Sequence, residues 1–185
     1  MTHVSVVHAS LSGHTETLAC AIVDGARSVG AAVSLQAAHQ VQPEDLTVAD
    51  AILWGSSGYY GGVNPEMAQL FDRLGGLWLS GRLQGKVGGV FATTSTLHGG
   101  IETVLHALGY AMMHQGMIVV PNTGPFTPER IAYGCPYGAS AVVPTATDLD
   151  TATGQPSAGE MRLAYEYGAR VTRVARVLAS TGQMQ

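Results

Sequence analysis

The sequence predicts an α/β protein built on a doubly wound, five-stranded parallel sheet, with helices on both faces in a three-layer α/β/α arrangement. Short apolar stretches alternate with segments whose apolar residues recur at helical spacing, and this alternation runs through most of the 185 residues. Loops rich in Gly, Ser, Thr and Tyr follow the first, third and fourth apolar stretches. Because ligands bind at the carboxyl ends of the strands in such sheets, these loops also predict where a site would lie.

The predicted strands are short and apolar, as expected for strands buried on both faces of a sheet. They comprise residues 4–8, 32–36, 49–54, 87–92 and 117–120. Trp54 closes the third strand and is expected in the core. Helices are predicted where apolar residues recur every three or four positions, at 15–29, 64–74, 102–114 and 160–178.

The remaining segments are predicted as loops because glycine, proline and small polar residues dominate them. Residues 55–62 and 77–86 are glycine-rich, and 122–156 form a long irregular stretch, which in a compact domain is usually functional. Length and pattern predict one domain over 1–180, followed by a C-terminal tail at 181–185.

Composition narrows the partners and the compartment. The net charge of -4 argues against nucleic acid or an anionic membrane, because both require a basic surface. Only 12% of residues are charged, which predicts that some surface is buried in an oligomer. Cys20 and Cys135 form no disulfide framework and no metal spacing, and Cys20 is expected to be a buried thiol within the first helix. With no apolar run long enough to cross a bilayer and no leader pattern, a cytoplasmic location is expected.

The loop at 10–15, with the sequence SLSGHT, joins the first strand to the first helix. Unpaired N–H groups of a first helical turn, together with the helix dipole, form an anion seat. Ser10, Ser12 and Thr15 add hydroxyl donors, and Gly13 lets the backbone curl around an oxygen. No Lys or Arg lies among the first 23 residues, so a phosphate here would be held by dipoles. Alternatively, Ser12 serves only as a helix N-cap.

Two further loops lie at the same predicted edge of the sheet. In the loop after the third strand, Tyr59 and Tyr60 present flat apolar faces that suit either a planar ligand or an oligomer contact. The loop at 93–98, TTSTLH, supplies hydroxyl groups. Away from these loops, Trp78 is either a pocket wall or an interface anchor, and His114 either acts at the site or only caps the end of its helix.

Several stretches resemble the WrbA-type NAD(P)H:quinone oxidoreductases, a flavodoxin-like family that binds FMN. The resemblance spans almost the whole chain and rests on SLSGHT at 10–15, GGLWLSG at 75–81, FATTST at 91–96, HQGM at 114–117, VVP at 119–121 and PYGA at 136–139. It implies a flavodoxin-like domain that binds FMN, uses NADH or NADPH as donor and a quinone as acceptor, and assembles as a homotetramer or homodimer.

The resemblance also implies roles for individual residues. The FMN phosphate would be held by Ser10, Leu11, Ser12, Gly13, His14 and Thr15. The flavin ring would lie along Gly58, Tyr59, Tyr60 and Gly61, and the ribityl chain and pyrimidine edge would contact Thr93, Thr94, Ser95, Thr96, Leu97 and His98. His114 would act in catalysis and Trp78 at the substrate opening. This chain departs from the family pattern at Tyr59, Gly62, Leu97 and His98, and in a shorter connection over 36–48.

A flavin supplies hydride chemistry itself, which fits a sequence with no nucleophile–base pair, no paired carboxylates near the predicted site and no metal-ligand spacing. If donor and quinone use one ring face in turn, ping-pong kinetics follow. Two alternatives remain open at this point. One is a flavodoxin-type electron carrier, and the other is a flavin-free interaction module whose pocket is blocked by Tyr59, Leu97 and His98.

Overall fold

The computed structural model describes residues 1–144 and 154–181 and shows a parallel sheet between two helical layers. The strands are β1 (His3–Ala9), β2 (Ala32–Ala37), β3 (Ala51–Tyr59), β4 (Gly62–Val63), β5 (Val87–Thr94), β6 (Ile118–Val119) and β7 (Ala139–Val142). The helices are α1 (His14–Ser28), α2 (Pro65–Arg73), α3 (Gly75–Leu79), α4 (Ile101–His114), α5 (Pro128–Tyr133) and α6 (Ala158–Ser180), with a short 3-10 helix at Pro43–Leu46. The predicted fold class and its five strand positions are confirmed.

The sheet order is β2-β1-β3-β5-β6, with β7 also paired to β5. Two short strands therefore share the fifth position. β6 pairs with the beginning of β5, through Val87 and Ile118, whereas β7 pairs with its end, from Phe91 to Thr94. The predicted strand at 117–120 is only two residues long, and the stretch at 122–156 is not wholly irregular, because it contains α5 and β7. Residues 145–153 of that stretch lie outside the described residues.

Two loops predicted from glycine content are partly regular. β3 continues through Tyr59, and its last residues form an antiparallel hairpin with β4, so the prediction of a loop over 55–62 is wrong for most of its length. Similarly, α3 occupies part of the predicted loop at 77–86. In β3, glycine was a poor guide to a loop because its small size allows close packing. A Cβ at Gly55, for example, would lie 1.9 Å from the Phe91 ring.

Each face of the sheet carries its own core. Alternating side chains of β1 show the division, since Val7 and Ala9 pack with α2 and α4, whereas Val4 and Val6 pack with α1 and α6. Trp54 is fully buried in the first core, as predicted. The expectation of a buried Cys20 is wrong, because its position on α1 faces outward and the thiol is exposed.

Two glycines allow α1 and α6 to touch. A Cβ at Gly168 would lie 2.1 Å from the Ile22 carbonyl oxygen, and one at Gly25 would lie 1.9 Å from the Tyr165 carbonyl oxygen. This close packing fixes α1, whose N-terminus is joined to β1 by the first loop. The described part of α6 ends at Ser180, and of the predicted tail only Thr181 lies within the described residues. Among the described helices, none has the length and apolar character needed to cross a bilayer.

Candidate functional site

Three loops meet at the carboxyl edge of the sheet, as the sequence predicts. The hydroxyl groups of Thr15 and Thr93 lie 2.8 Å apart in a buried hydrogen bond that joins the first loop to the third. A Cβ at Gly58 would lie 2.8 Å from the Thr94 methyl group. A Cβ at Gly100 would lie 2.9 Å from the Gly61 Cα, so the second and third loops are also in contact. The three loops therefore lie side by side and frame one region of this edge of the sheet, the crevice.

The N-terminus of α1 has no side-chain cap. Its N-cap residue is Gly13, in the left-handed conformation at φ 86°, and no side chain of the described residues accepts a hydrogen bond from the first turn. The simple capping role considered for Ser12 is therefore wrong, and its Oγ instead lies 3.1 Å from Nδ1 of His14. Because the first-turn N–H groups have no intrahelical acceptor, they and the helix dipole favour an anion at this position.

The second loop is a tight hairpin, and hydrogen bonds from Asn64 fix its base. Its two turn residues, Tyr60 and Gly61, have positive φ angles of 47° and 81°, as in the type I′ turns that connect paired strands. Tyr60 is fully exposed, and its ring meets that of Tyr59 edge-on at a centroid distance of 6.2 Å. The backbone N–H of Asn64 donates to Ser56 Oγ at 2.8 Å, and Asn64 Nδ2 donates to Ser57 Oγ at 3.0 Å.

Asn64 is a structural residue of the site whose full role the sequence does not reveal. It caps α2, since its Oδ1 accepts from the Glu66 N–H at 2.9 Å. Its hydrogen bonds to the two serines of β3 depend on the hairpin, however, and the hairpin was predicted as a loop. The same side chain thus fixes the start of α2 and the base of the tyrosine-bearing turn.

The third loop closes on itself and presents its tip to solvent. Thr94 Oγ1 donates to the Thr96 carbonyl at 3.0 Å, and the Gly99 N–H donates to the same carbonyl at 3.0 Å. Residues 95–98 are exposed, so the bulk of Leu97 and His98 lies outside the core. Each of the three loops has one large apolar side chain exposed to solvent: Leu11, Tyr60 and Leu97.

His8 is a buried histidine that the sequence analysis did not single out. It lies near the end of β1, two residues before the first loop, and its Nδ1 is buried with no hydrogen-bond partner among the described residues. Burial lowers the pKa of His8, although Glu16 and Glu66 act in the opposite direction and His39 adds to the lowering. A histidine near the end of a mostly apolar strand, next to a hydroxyl-rich loop, is the sequence signal that could have identified it.

His114 and Trp78 lie far from the three loops of their own chain. Helices of a parallel sheet run opposite to the strands, so His114, the last residue of α4, lies about 20 Å along the helix from the crevice end. Trp78, on α3, is half-exposed. The two residues do lie together, in a cavity of about 320 Å³ lined by Phe71, Gly75, Trp78, Ala111, His114 and Gln115.

Comparison with known proteins places the chain in a family. Residues 37–128 match the model of the NADPH-dependent FMN reductases. A protein of Paracoccus denitrificans named NAD(P)H dehydrogenase (quinone) is 36% identical, over 97% of this chain and 97% of its own length. The chain belongs to the NAD(P)H dehydrogenase (quinone) family. A protein of the same name from Acidithiobacillus ferrooxidans is also 36% identical, over 96% of this chain and 99% of its own length.

Solved structures agree with this family assignment. The flavodoxin, WrbA-like protein from Agrobacterium tumefaciens superposes with a TM-score of 0.72 at 27% identity, covering 96% of this chain and 99% of that protein. A flavodoxin from the domain Archaea superposes with a TM-score of 0.71 at 21% identity, covering 95% of this chain and 99% of its own, and shows the shared fold. This NAD(P)H dehydrogenase (quinone) family member is therefore a flavodoxin-like protein, as its sequence motifs implied.

Proposed function

We propose that this protein is an FMN-dependent oxidoreductase that passes two electrons from NADH or NADPH to a quinone. The observation that carries the proposal is the uncapped N-terminus of α1 at the meeting point of the three loops. The names of its relatives, NAD(P)H dehydrogenase (quinone), and the match to the FMN reductase model support the choice of reaction. The two free cysteines support a reducing, cytoplasmic location.

The first loop fits the phosphate of FMN. A phosphate monoester has three oxygens that accept hydrogen bonds, and this loop offers unpartnered backbone N–H groups and the hydroxyls of Ser10 and Ser12. A Cβ at Gly13 would meet nothing within 4 Å, which leaves open space over the helix end. We assign phosphate binding to residues 10–15, with Thr15 also tying this loop to Thr93.

The other two loops fit the remainder of the cofactor. Tyr60 exposes a full aromatic face, and Leu11 and Leu97 expose apolar surface that a planar ring would cover. We assign ring contacts to residues 58–61 and contacts with the ribityl chain and pyrimidine edge to residues 93–98. When bound, FMN supplies the hydride chemistry, while these residues bind and orient it and shield it from water.

Because the three loops lie side by side at one edge of the sheet, the donor and the quinone would reach the same face of the cofactor in turn. We therefore propose that the nicotinamide donor leaves before the quinone enters, which is a ping-pong mechanism. Initial rates measured at several fixed concentrations of each substrate should give parallel lines in double-reciprocal plots. Lines that intersect would show that both substrates bind together.

We further propose that His114 and Trp78 act on the crevice of a neighbouring copy in a homotetramer. They lie together in one cavity at the end of α4 remote from their own chain's loops, so they cannot line that chain's crevice. In this arrangement Trp78 forms a wall of the quinone opening, and His114 hydrogen-bonds the quinone oxygen.

The cofactor assignment is tested with a matched pair of glycine variants. Gly13→Asp places a carboxylate at the proposed phosphate position, and should weaken FMN binding at least about tenfold, since a carboxylate there repels the phosphate dianion. Gly85→Asp is the control, because Gly85 also has a positive φ and open space around it but lies before β5, at the opposite edge of the sheet. Flavin fluorescence quenching reports binding, and equal affinity of the two variants would contradict the assignment.

The shared site is tested by mixing two inactive variants. Gly13→Asp lacks the phosphate seat, and His114→Ala lacks the histidine, so each homo-oligomer should turn over quinone slowly. Oligomers refolded from a mixture will contain crevices with an intact seat from one chain and an intact His114 from another, and should regain part of the activity. If the mixture is no more active than the average of its parents, His114 does not act across a subunit boundary.

A further inference from the structure

A second polar cavity lies on the outer side of α6, away from the three loops. Its volume is about 550 Å³, and its walls come from the end of α1, residues 122–125, α5 and the middle of α6. Three arginines and one glutamate line it: Arg130, Arg170, Arg173 and Glu166. The lining thus carries a formal charge of +2, in a chain whose net charge is -4. Positive charge is therefore concentrated at this cavity, although the chain as a whole is negatively charged.

Arg130 is held rigidly in the wall of this cavity. One terminal nitrogen, Nη2, donates to Glu166 Oε2 at 2.7 Å, and the side chain is only 14% exposed. Its guanidinium lies against the backbone of Gly124, where a Cβ would come within 2.8 Å of Nε. The other terminal nitrogen, Nη1, is buried and has no acceptor among the described residues. The ion pair therefore uses only part of the donor capacity of Arg130.

Arg170 and Arg173 have donor capacity to spare as well. Arg170 Nη1 donates to the Thr123 carbonyl at 2.8 Å, but its Nε is buried without an acceptor in the described part of the chain. Arg173 has no hydrogen-bond or ion-pair partner among the described residues. By contrast, the flanking arginines are engaged, since Arg162 pairs with Glu129 and Arg176 donates to the Val29 carbonyl.

Buried donors without acceptors are costly, and a group of guanidinium donors facing one cavity is a recognised arrangement for binding phosphate. A cavity of this size has room for a phosphate-bearing small molecule. We propose that Arg130, Arg170 and Arg173 form a second anion site, which binds the phosphate group of a small molecule. The site includes Ser28 at the end of α1, whereas the FMN phosphate is assigned to the beginning of that 15-residue helix, about 20 Å away.

The proposal is tested by calorimetric titration of FMN-loaded protein with pyrophosphate, at constant ionic strength adjusted with sodium chloride. FMN occupies the first phosphate seat, so binding should come from the arginine cavity. Arg173→Gln removes a charge without breaking any contact of the described residues, and should weaken pyrophosphate binding at least about tenfold. Arg82→Gln is the control, because Arg82 is exposed and donates to Thr47, away from this cavity.

A repeat in the Gly13→Asp variant separates this site from the proposed cofactor site. Pyrophosphate binding should persist there even though FMN binding is weakened, and it should persist equally if the wild-type chain proves unable to bind FMN. The proposal is overturned if wild-type protein shows no pyrophosphate binding above the chloride background. It is also overturned if Arg173→Gln and Arg170→Gln bind pyrophosphate as tightly as wild type does.

Discussion

Tyr60 is the residue whose substitution separates local stability from ligand binding most clearly. Its φ of 47° places it in the left-handed region, which costs a non-glycine residue roughly 1–2 kcal/mol. Its side chain is fully exposed, so packing within the described chain does not offset that cost. Asparagine tolerates this conformation, and Tyr60→Asn would give the hairpin the Asn-Gly pair that type I′ turns favour.

Two opposite effects of Tyr60→Asn are expected. FMN-free protein should gain about 1 kcal/mol in its free energy of unfolding, as turn strain is relieved, and its Tm should rise by roughly 2–4 °C. FMN binding should weaken, because loss of an aromatic stacking contact removes about 0.5–1.5 kcal/mol, equivalent to an increase in Kd of roughly twofold to tenfold.

Urea unfolding of the FMN-free protein and fluorescence titration with FMN measure the two effects separately. Tyr60→Phe is the control, since it keeps both the ring and the strained backbone and should leave both quantities near the wild-type values. A Tyr60→Asn variant less stable than wild type would refute the argument from strain. An unchanged Kd would show that the Tyr60 ring does not contact the cofactor.

Three further outcomes are expected. Tyr167→Phe should lower the free energy of unfolding, measured in urea, by about 2–4 kcal/mol, because the buried hydroxyl donates to the Val120 carbonyl at 2.6 Å and accepts from the Val90 N–H at 3.2 Å. Tyr165→Phe is the control, since Tyr165 lies on the same helix but is half-exposed, and it should change that free energy by less than about 0.5 kcal/mol. Because burial lowers the pKa of His8, the unfolded chain binds the proton more readily than the folded chain does. The free energy of unfolding should therefore fall as the pH drops below the ordinary histidine value of 6.5. Urea unfolding over that pH range should show a smaller fall for a His8→Phe variant. Iodoacetamide should label only Cys20 in the folded protein, and mass spectrometry should detect labelling of the buried Cys135 only after unfolding. Cys20 should react more slowly than a free thiol, because partial burial and the nearby Glu16 raise its pKa.

The sequence was sufficient for the fold and for the edge of the sheet at which the loops meet. Alternation of apolar strands with amphipathic helices is a local signal repeated along the whole chain, so one poorly defined element, such as β6, did not disturb the topology. The contact between Thr15 and Thr93 agrees with that topology, because Thr15 lies in the first turn of the helix after β1 and Thr93 lies near the end of β5, so both are at the carboxyl edge of the parallel sheet, on either side of β3.

The features that the sequence did not predict depend on contacts between distant segments. β3 extends through Tyr59 because β4 folds back on it and because Gly55 packs against Phe91, and neither partner is visible in the local composition. The splitting of the fifth strand position has a similar origin. Tyr167 reaches from α6 into the gap between β6 and β7, where its hydroxyl replaces strand hydrogen bonds for Val90 and Val120. No periodicity within 117–142 could reveal a partner on α6.

The low proportion of charged residues and the distance between the three loops and the cavity of Trp78 and His114 have a common explanation if the chain forms an oligomer. A monomer would leave Trp78, Tyr110, Met113 and Ile118 exposed while its crevice lacked the histidine and tryptophan assigned by resemblance. Association that brings the α3–α4 side of one copy against the crevice of another would bury this apolar surface. It would also supply the crevice with the missing histidine and tryptophan. If the proposed arrangement holds, dilution should lower quinone turnover per chain before it releases FMN, because the phosphate seat would belong to one chain and the quinone opening to two. Loss of FMN and of turnover at the same protein concentration would mean that the cofactor seat also depends on the neighbouring copy.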